Sequence, residues 1–324
     1  MVAGGAARTA FVTSPVVSSL LPVVLLIGIG YVAGRAGWIR SEATRDLSNL
    51  VFMVLTPALL FRTMSTVHVE QLDFKPVAMY FVAAALLFAA ILLWQGITRR
   101  SAVLALAATF SNTVMIGVPL VGLAYGQAGL VMLFTLISVH ALVLLTLATV
   151  VLELAVAREA AATRGDQHMM LTVLGAVRNG IIHPVPLPII LGLLFAQTGL
   201  TLTPLLDKPL LLLSNAFGPI ALLLVGVTLT HVRVGQHLRG AIGLALIKNL
   251  AFPALVAGLS WSLGLSGLSL SVMIVAASMP IGANVFLFSQ RYQVARELVT
   301  ASVAVSTALA LLTVSLVMGL LGAV

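Results

Sequence analysis

The chain has 324 residues, of which 60% are hydrophobic and only 8% charged, against about 25% charged in an ordinary soluble protein. That composition excludes a water-soluble globular fold. Net charge is +8, from 17 Lys+Arg against 9 Asp+Glu, and there it is the placement of the basic residues, not their sum, that carries information. No cysteine is present, so disulfides, thiol catalysis and thiolate metal sites are excluded.

A bilayer core needs about 20 mostly apolar residues per helix. The chain supplies that pattern ten times, at approximately 16–34, 45–65, 77–98, 102–124, 128–154, 181–199, 209–230, 239–263, 268–289 and 296–321. The predicted fold is therefore an all-α polytopic membrane protein of ten transmembrane helices. Arg8 precedes the first span as it would in a signal peptide, but the apolar run from Val16 to Ala33 exceeds the usual h-region of roughly 7–15 residues. Pro and Gly interrupt the spans at 102–124 and 181–199.

Orientation follows from the basic residues. Alternate connections hold Arg35, Arg40, Arg45, Arg99, Arg100, Arg158, Arg164, Arg178, Arg233, Arg239, Arg291 and Arg296, twelve in all, whereas the opposite side holds four, Arg8, Arg62, Lys75 and Lys208. Positively charged loops stay in the cytoplasm, so both termini are expected outside it.

The two halves resemble each other. Pro22 and Pro184, Pro57 and Pro219, and Gly30 and Gly192 are each 162 apart, and Pro119 and Pro280 are 161 apart. Leu47-Ser48-Asn49 recurs as Leu213-Ser214-Asn215, 166 residues later. With five helices in each half, the second half enters the membrane upside down, an inverted 5+5 repeat. The expected division is 1–155 for the first repeat, 156–180 for a charged cytoplasmic link and 181–324 for the second.

Polar and helix-breaking residues at mid-membrane are costly unless satisfied, which makes them the places to look for function. Span 4 carries Ser111-Asn112-Thr113 through Gly117 and Pro119, and span 9 carries Pro280-Ile281-Gly282-Ala283-Asn284. Interrupted helices at corresponding positions of two repeats point to a transporter's binding site. Their broken ends offer free N–H groups to an anion. The candidate substrate residues are Asn112, Thr113, Gly117, Pro119, Pro280, Gly282 and Asn284. The bland alternative is a pair of proline kinks with Asn as packing glue.

Two further residues are candidates for coupling or support. Lys248 lies inside span 8, where it can counter an anion, snorkel its stem to the interface or enter a structural ion pair. His140 lies in mid-span 5, where it can carry a proton or stay neutral and bond a neighbouring helix. Glu297 and Glu153, near helix ends, read as structural. Gly264-Leu265-Ser266-Gly267 has the Gly-x-Ser-Gly pattern of an intramembrane serine protease but falls in a short turn without a histidine at its depth. No phosphate-binding loop, zinc motif or cofactor motif occurs, so neither an enzyme nor an ATP-driven pump is expected.

These residues also carry a resemblance. The run Asn112-Thr113-x-x-x-Gly117-x-Pro119 and the stretch from Arg178-Asn179 through Pro188 and Gly192 resemble the auxin efflux carrier family. So do Gly218-Pro219-Ile220-Ala221-Leu222 with Gly226, Lys248-x-x-x-x-Pro253 and Pro280-x-Gly282-Ala283-Asn284 followed by Arg291-Tyr292 and Ser306-Thr307. Gly282-Ala283-Asn284-Val285-Phe286 and the stretch around His140 are similar to bacterial members described as malonate-type transporters. The resemblance implies helices 4 and 9 crossing at their breaks, a scaffold of helices 1, 2, 6 and 7, and organic anions as substrates in a bacterial inner membrane. The plant hormone carriers differ at the second break, which argues against auxin.

The leading expectation is alternating-access transport of a small mono- or dicarboxylate, with a proton or sodium as candidate coupling ion and no cofactor or nucleic acid. Rivals are a sodium-coupled symporter of a larger amphipathic anion and a receptor or interaction subunit that binds without translocation. Gly122-x-x-x-Gly126 suits internal packing as well as a homodimer.

Overall fold

The computed structural model describes residues 15–67, 73–161, 186–230 and 235–322. Arg8, Arg164, Arg178, Asn179, Pro184 and Arg233 lie outside the described residues, as does most of the expected link. The chain is helical, and among the described residues the one β feature is an isolated antiparallel bridge between Ser111 and Ile281.

In chain order the helices are α1 (Pro15–Arg35), α2 (Ser41–Leu50), α3 (Thr56–Met64), α4 (Phe74–Gln95), α5 (Arg99–Thr109) and α6 (Val118–Ala161). The second half contains α7 (Pro186–Gln197), α8 (Pro204–Leu229), α9 (Leu238–Leu246), α10 (Phe252–Ser262), α11 (Leu268–Ser278), α12 (Asn284–Arg291) and α13 (Arg296–Leu320). Six helical stretches among the described residues are long and apolar enough to cross a membrane: Glu42–Met64, Phe74–Gln95, Thr113–Val156, Pro204–Leu229, Leu238–Ser262 and Arg296–Leu320. Shorter apolar helices occupy Leu21–Arg35, Leu187–Gln197 and Leu268–Ser278. Large apolar side chains such as Leu93 (86% exposed) and Leu205 (82%) point outward, which suits a bilayer and not water.

Thr113–Val156 has 44 residues, about twice what one crossing needs. It turns at Gly126, whose φ of 60° and ψ of −153° a residue with a Cβ rarely adopts. The expected Gly122-x-x-x-Gly126 motif therefore straddles a bend: Gly122 packs against Leu130 beyond it, an internal contact. The helix continues past the expected end at 154 to Ala161.

Three π turns interrupt the helices, at Val51–Leu55, Thr113–Gly117 and Ile247–Ala251. Each stops two residues before a proline, Pro57, Pro119 or Pro253. Proline lacks an N–H and its ring collides with the carbonyl four residues back, so the preceding turn widens. In the widened turns Thr56 and Phe252 donate their N–H to Val51 O and Ile247 O, five residues earlier. Thr56 Oγ1 adds a 2.7 Å bond to the same Val51 carbonyl.

The packing pairs α1 with α8, α3 with α7 and α8, α4 with α10, and α9 with α13. Glycines set the closest approaches. A Cβ on Gly30 would strike the Leu223 carbonyl and one on Gly226 would strike the Ile27 carbonyl, so α1 and α8 touch backbone to backbone. One on Gly192 would lie 2.8 Å from the Phe61 carbonyl, so α7 meets α3 in the same way.

Candidate functional site

Where spans 4 and 9 are interrupted, both chains become extended and run past each other. Phe110–Asn112 pairs with Pro280–Gly282: Asn112 N–H donates to Pro280 O at 2.8 Å and Gly282 N–H donates to Phe110 O at 2.9 Å. Mid-membrane backbone that is not helical must find such partners or remain unsatisfied at a cost of several kcal/mol. Ile281 N–H is held by Ser306 Oγ of α13 at 3.1 Å. Gly282 allows the crossing, because a Cβ there would lie 2.7 Å from the Phe110 ring and 3.1 Å from Ser111 O.

Buried polar side chains from neighbouring helices complete each break. Tyr80 of α4 sits 2.9 Å from Ser111 Oγ and 3.1 Å from His140 Nε2, and the His140 ring packs against Phe110 with centroids 4.6 Å apart. Lys248, fully buried, donates through Nζ to Ala277 O at 2.6 Å and Met279 O at 2.7 Å. Those are carbonyls at the end of α11, which a helix end leaves without intrahelical partners. The snorkelling expected for Lys248 is thus corrected: the π turn at Ile247–Ala251 aims its stem inward, and no carboxylate among the described residues pairs with it. Neighbouring Asn249 donates to Ser306 O at 2.9 Å and Thr313 Oγ1 at 3.2 Å, tying the same turn to α13.

A cavity of about 360 Å³ opens beside the crossing, lined by Asn49, Asn112, Thr113, His140, Gly282 and Asn284 among others. A second, about 350 Å³, adjoins it through Phe52, Asn112, Met115, Ala283 and Phe286 and extends to Ser48, Thr228 and Thr300. Asn112 Oδ1 caps the following turn by accepting from Met115 N–H at 3.3 Å. Its Nδ2, and the whole Asn284 amide, make no hydrogen bond among the described residues. Among the described residues, no charged side chain lines either cavity.

Of the predicted substrate residues, Asn112, Thr113, Gly282 and Asn284 come together on one cavity, with His140 beside them. Gly117 and Pro280 are outside that lining and act on the backbone, Gly117 N–H bonding Asn112 O at 3.2 Å. Pro119 lines a different cavity, of about 390 Å³, with Arg62, Thr63, Ser214 and Asn215. Sequence reasoning missed Tyr80, a lone Tyr in an apolar run, and Asn49, whose Leu-Ser-Asn motif was seen only as a repeat.

The remaining motifs are structural. Glu297 meets His237 Nε2 at 2.9 Å, Glu153 accepts from Tyr292 OH at 2.8 Å, and Ser266 lies in a turn whose Gly264 and Gly267 have φ of 69° and 86°. No cluster of His, Cys, Asp and Glu able to hold a metal occurs among the described residues.

Long apolar helices surrounding a polar crossing define a multi-pass membrane protein. The profile of a family described as membrane transport protein matches residues 15–318, and the chain belongs to this family, that of the auxin efflux carriers. It is 28% identical over 91% of its length to a Rhizobium meliloti protein provisionally named a malonate transporter, covering 92% of that protein. An uncharacterized transporter of Methanothermobacter thermautotrophicus is 23% identical over 92% of this chain and 96% of its own. An uncharacterized transporter of Saccharomyces cerevisiae is 33% identical over 22% of this chain and 11% of its own. Membership assigns the protein to membrane transport.

Proposed function

We propose that the protein is a secondary transporter of a small organic anion, a malonate-like mono- or dicarboxylate, working by alternating access at the crossing of its two broken helices. The observation that carries this reading is the pair of amides, Asn112 from one broken helix and Asn284 from the other, both on one cavity of about 360 Å³ and both with donors unspent. That volume is at the small end of ligand sites, roughly 300–1,000 Å³. The starts of the two half-helices add partial positive charge. The name of the Rhizobium meliloti relative supports malonate as the first substrate to try.

Alternating access needs two related halves, and the packing supports an inverted repeat over 1–155 and 181–324. Gly30 packs on Leu223 and Gly192 packs on Phe61; the glycines are 162 apart and so are their targets. One contact is the other with the repeats exchanged. The inferred whole is ten spans in a bacterial inner membrane, with both termini outside the cytoplasm and a cytoplasmic link at 156–180.

The sodium-coupled reading is disfavoured at the second break. Carbonyls at a broken helix end are ready ligands for a cation, but those of Ala277 and Met279 already accept from Lys248 Nζ. A proton-coupled or uncoupled carrier fits better.

The test is counterflow of labelled malonate in proteoliposomes. Wild type is expected to show saturable exchange that persists when potassium replaces sodium, and Asn112→Ala is expected to abolish it while the protein still purifies as a folded species. Undiminished exchange by Asn112→Ala overturns the site, and binding without exchange in wild type would favour a receptor.

A further inference from the structure

The crossing has cavities toward both ends of the bundle, and their linings differ. Three stretches show the separation. Ser48, Asn49 and Phe52 line the cavities beside Asn112 and Asn284, whereas Leu59, Arg62 and Thr63, farther along the same span, line the third. Thr113–Met115 faces one end, and Pro119–Leu123 the other. On α8 the split is Leu224–Leu229 against Ser214–Leu222. The two copies of the Leu-Ser-Asn motif thus line opposite ends, and of these three cavities only the one with Ser214 and Asn215 has a charged lining residue among the described residues, Arg62.

Arg62 is engaged by Asp207, in the first turn of α8. Its Nε donates to Oδ1 at 2.7 Å and its Nη2 to Oδ2 at 3.1 Å, a two-pronged grip on a carboxylate. Both side chains are about a third exposed, 31% and 35%, so water and ions reach the pair and exchange of one carboxylate for another costs little. The planar guanidinium fork fits any carboxylate in the same way. Asp207 is not part of the lining, whereas Arg62 is, and the hydroxyl of Ser214 and the amide of Asn215 stand on the same cavity.

We propose that this outer cavity is a carboxylate-capture site in which Asp207 holds Arg62 until a substrate carboxylate displaces it. Asn215 then holds the captured anion before it reaches Asn112 and Asn284. The inference rests on the transporter reading and adds a first step to it: a carboxylate is gathered by the Arg62 guanidinium before it reaches the amides at the crossing.

The absence of native cysteine makes the test direct. Gln127, exposed on this cavity, is replaced in the full chain (Gln127→Cys), and its reaction with a membrane-impermeant maleimide is timed in proteoliposomes with increasing malonate. Malonate is expected to slow labelling several-fold, the uncharged diamide of malonate to have no effect, and Asp207→Asn to lower the malonate concentration needed several-fold. Arg62→Gln is expected to remove protection, as is the Arg62→Gln, Asp207→Asn double variant, which leaves no lone charge to disturb folding. Labelling unaffected by malonate, or protection that survives loss of Arg62, overturns the proposal. Asn112→Ala serves as the separating control. Protection kept while counterflow is lost supports both sites, counterflow without protection sinks the capture site alone, and protection in a wild type that exchanges nothing sinks the transporter reading alone.

Discussion

Single residues at the crossing divide into those that hold backbone and those that face the cavity. Lys248 belongs to the first kind, since its Nζ spans two carbonyls at the end of α11. Lys248→Met keeps the stem but leaves Ala277 O and Met279 O buried without a donor, about 1–3 kcal/mol for each unsatisfied group. A thermal-shift measurement in detergent, without substrate, is expected to show a melting point several degrees lower; an unchanged value removes the assignment. Glycines make a sharper pair. In Gly282→Ala the new methyl meets Phe110 at 2.7 Å and Ser111 O at 3.1 Å, and overpacking of that kind costs about 1–3 kcal/mol. In Gly117→Ala the nearest atom is the Asn112 carbonyl at 3.6 Å, ordinary contact. Loss of stability is expected at 282 and not at 117, although both were predicted as parts of one site, and equal melting points for the two variants would refute the geometry.

At the scale of elements, breaks were legible in the sequence and rotations were not. Pro, Gly and Asn clustered within a hydrophobic run can be read directly because each changes what the backbone can do. Hence both interruptions were located, though span 4 proves to be two helices with Phe110–Asn112 extended between them. Which way Lys248 points depends on the π turn that carries it, and that turn is set by Pro253, five residues later. Tyr80 has no flanking pattern at all; only the packing of α4 on α10 and α6 brings its hydroxyl to Ser111 and His140. The 162-residue spacing of Gly30 and Gly192, by contrast, is legible in the sequence, and the residues they pack on, Leu223 and Phe61, keep it. Gly30→Ala, which drives a methyl into the Leu223 carbonyl, is expected to lower yield and melting temperature, whereas Gly28→Ala, with no atom within 4 Å, is expected to be neutral. Fluorescence-detected size exclusion during heating would separate them, and a neutral Gly30→Ala would mean that α1 and α8 are not in backbone contact.

For the whole molecule, the placement of charge predicts an orientation, and its scarcity suits a route lined by amides. In the proposed reading, an anion crossing through Asn112 and Asn284 meets amides and helix ends, groups that bind without the desolvation cost of a buried ion, while buried Lys248 beside the second break is spent on two carbonyls. That economy depends on the two halves entering the membrane in opposite senses, and the connections test it. Trp38, 78% exposed after α1, and Leu200, 65% exposed after α7, occupy corresponding connections of the two repeats. In an inverted repeat they lie on opposite faces; in a parallel duplication they share one. With no cysteine to remove, Trp38→Cys and Leu200→Cys can each be labelled by an impermeant maleimide in intact cells and again after permeabilisation. Leu200→Cys is expected to react in intact cells, and Trp38→Cys, next to Arg35, Arg40 and Arg45, only after permeabilisation, as the positive-inside rule requires. Reaction of both from the same face would remove the inversion, and with it the structural basis for opening the crossing to each side in turn.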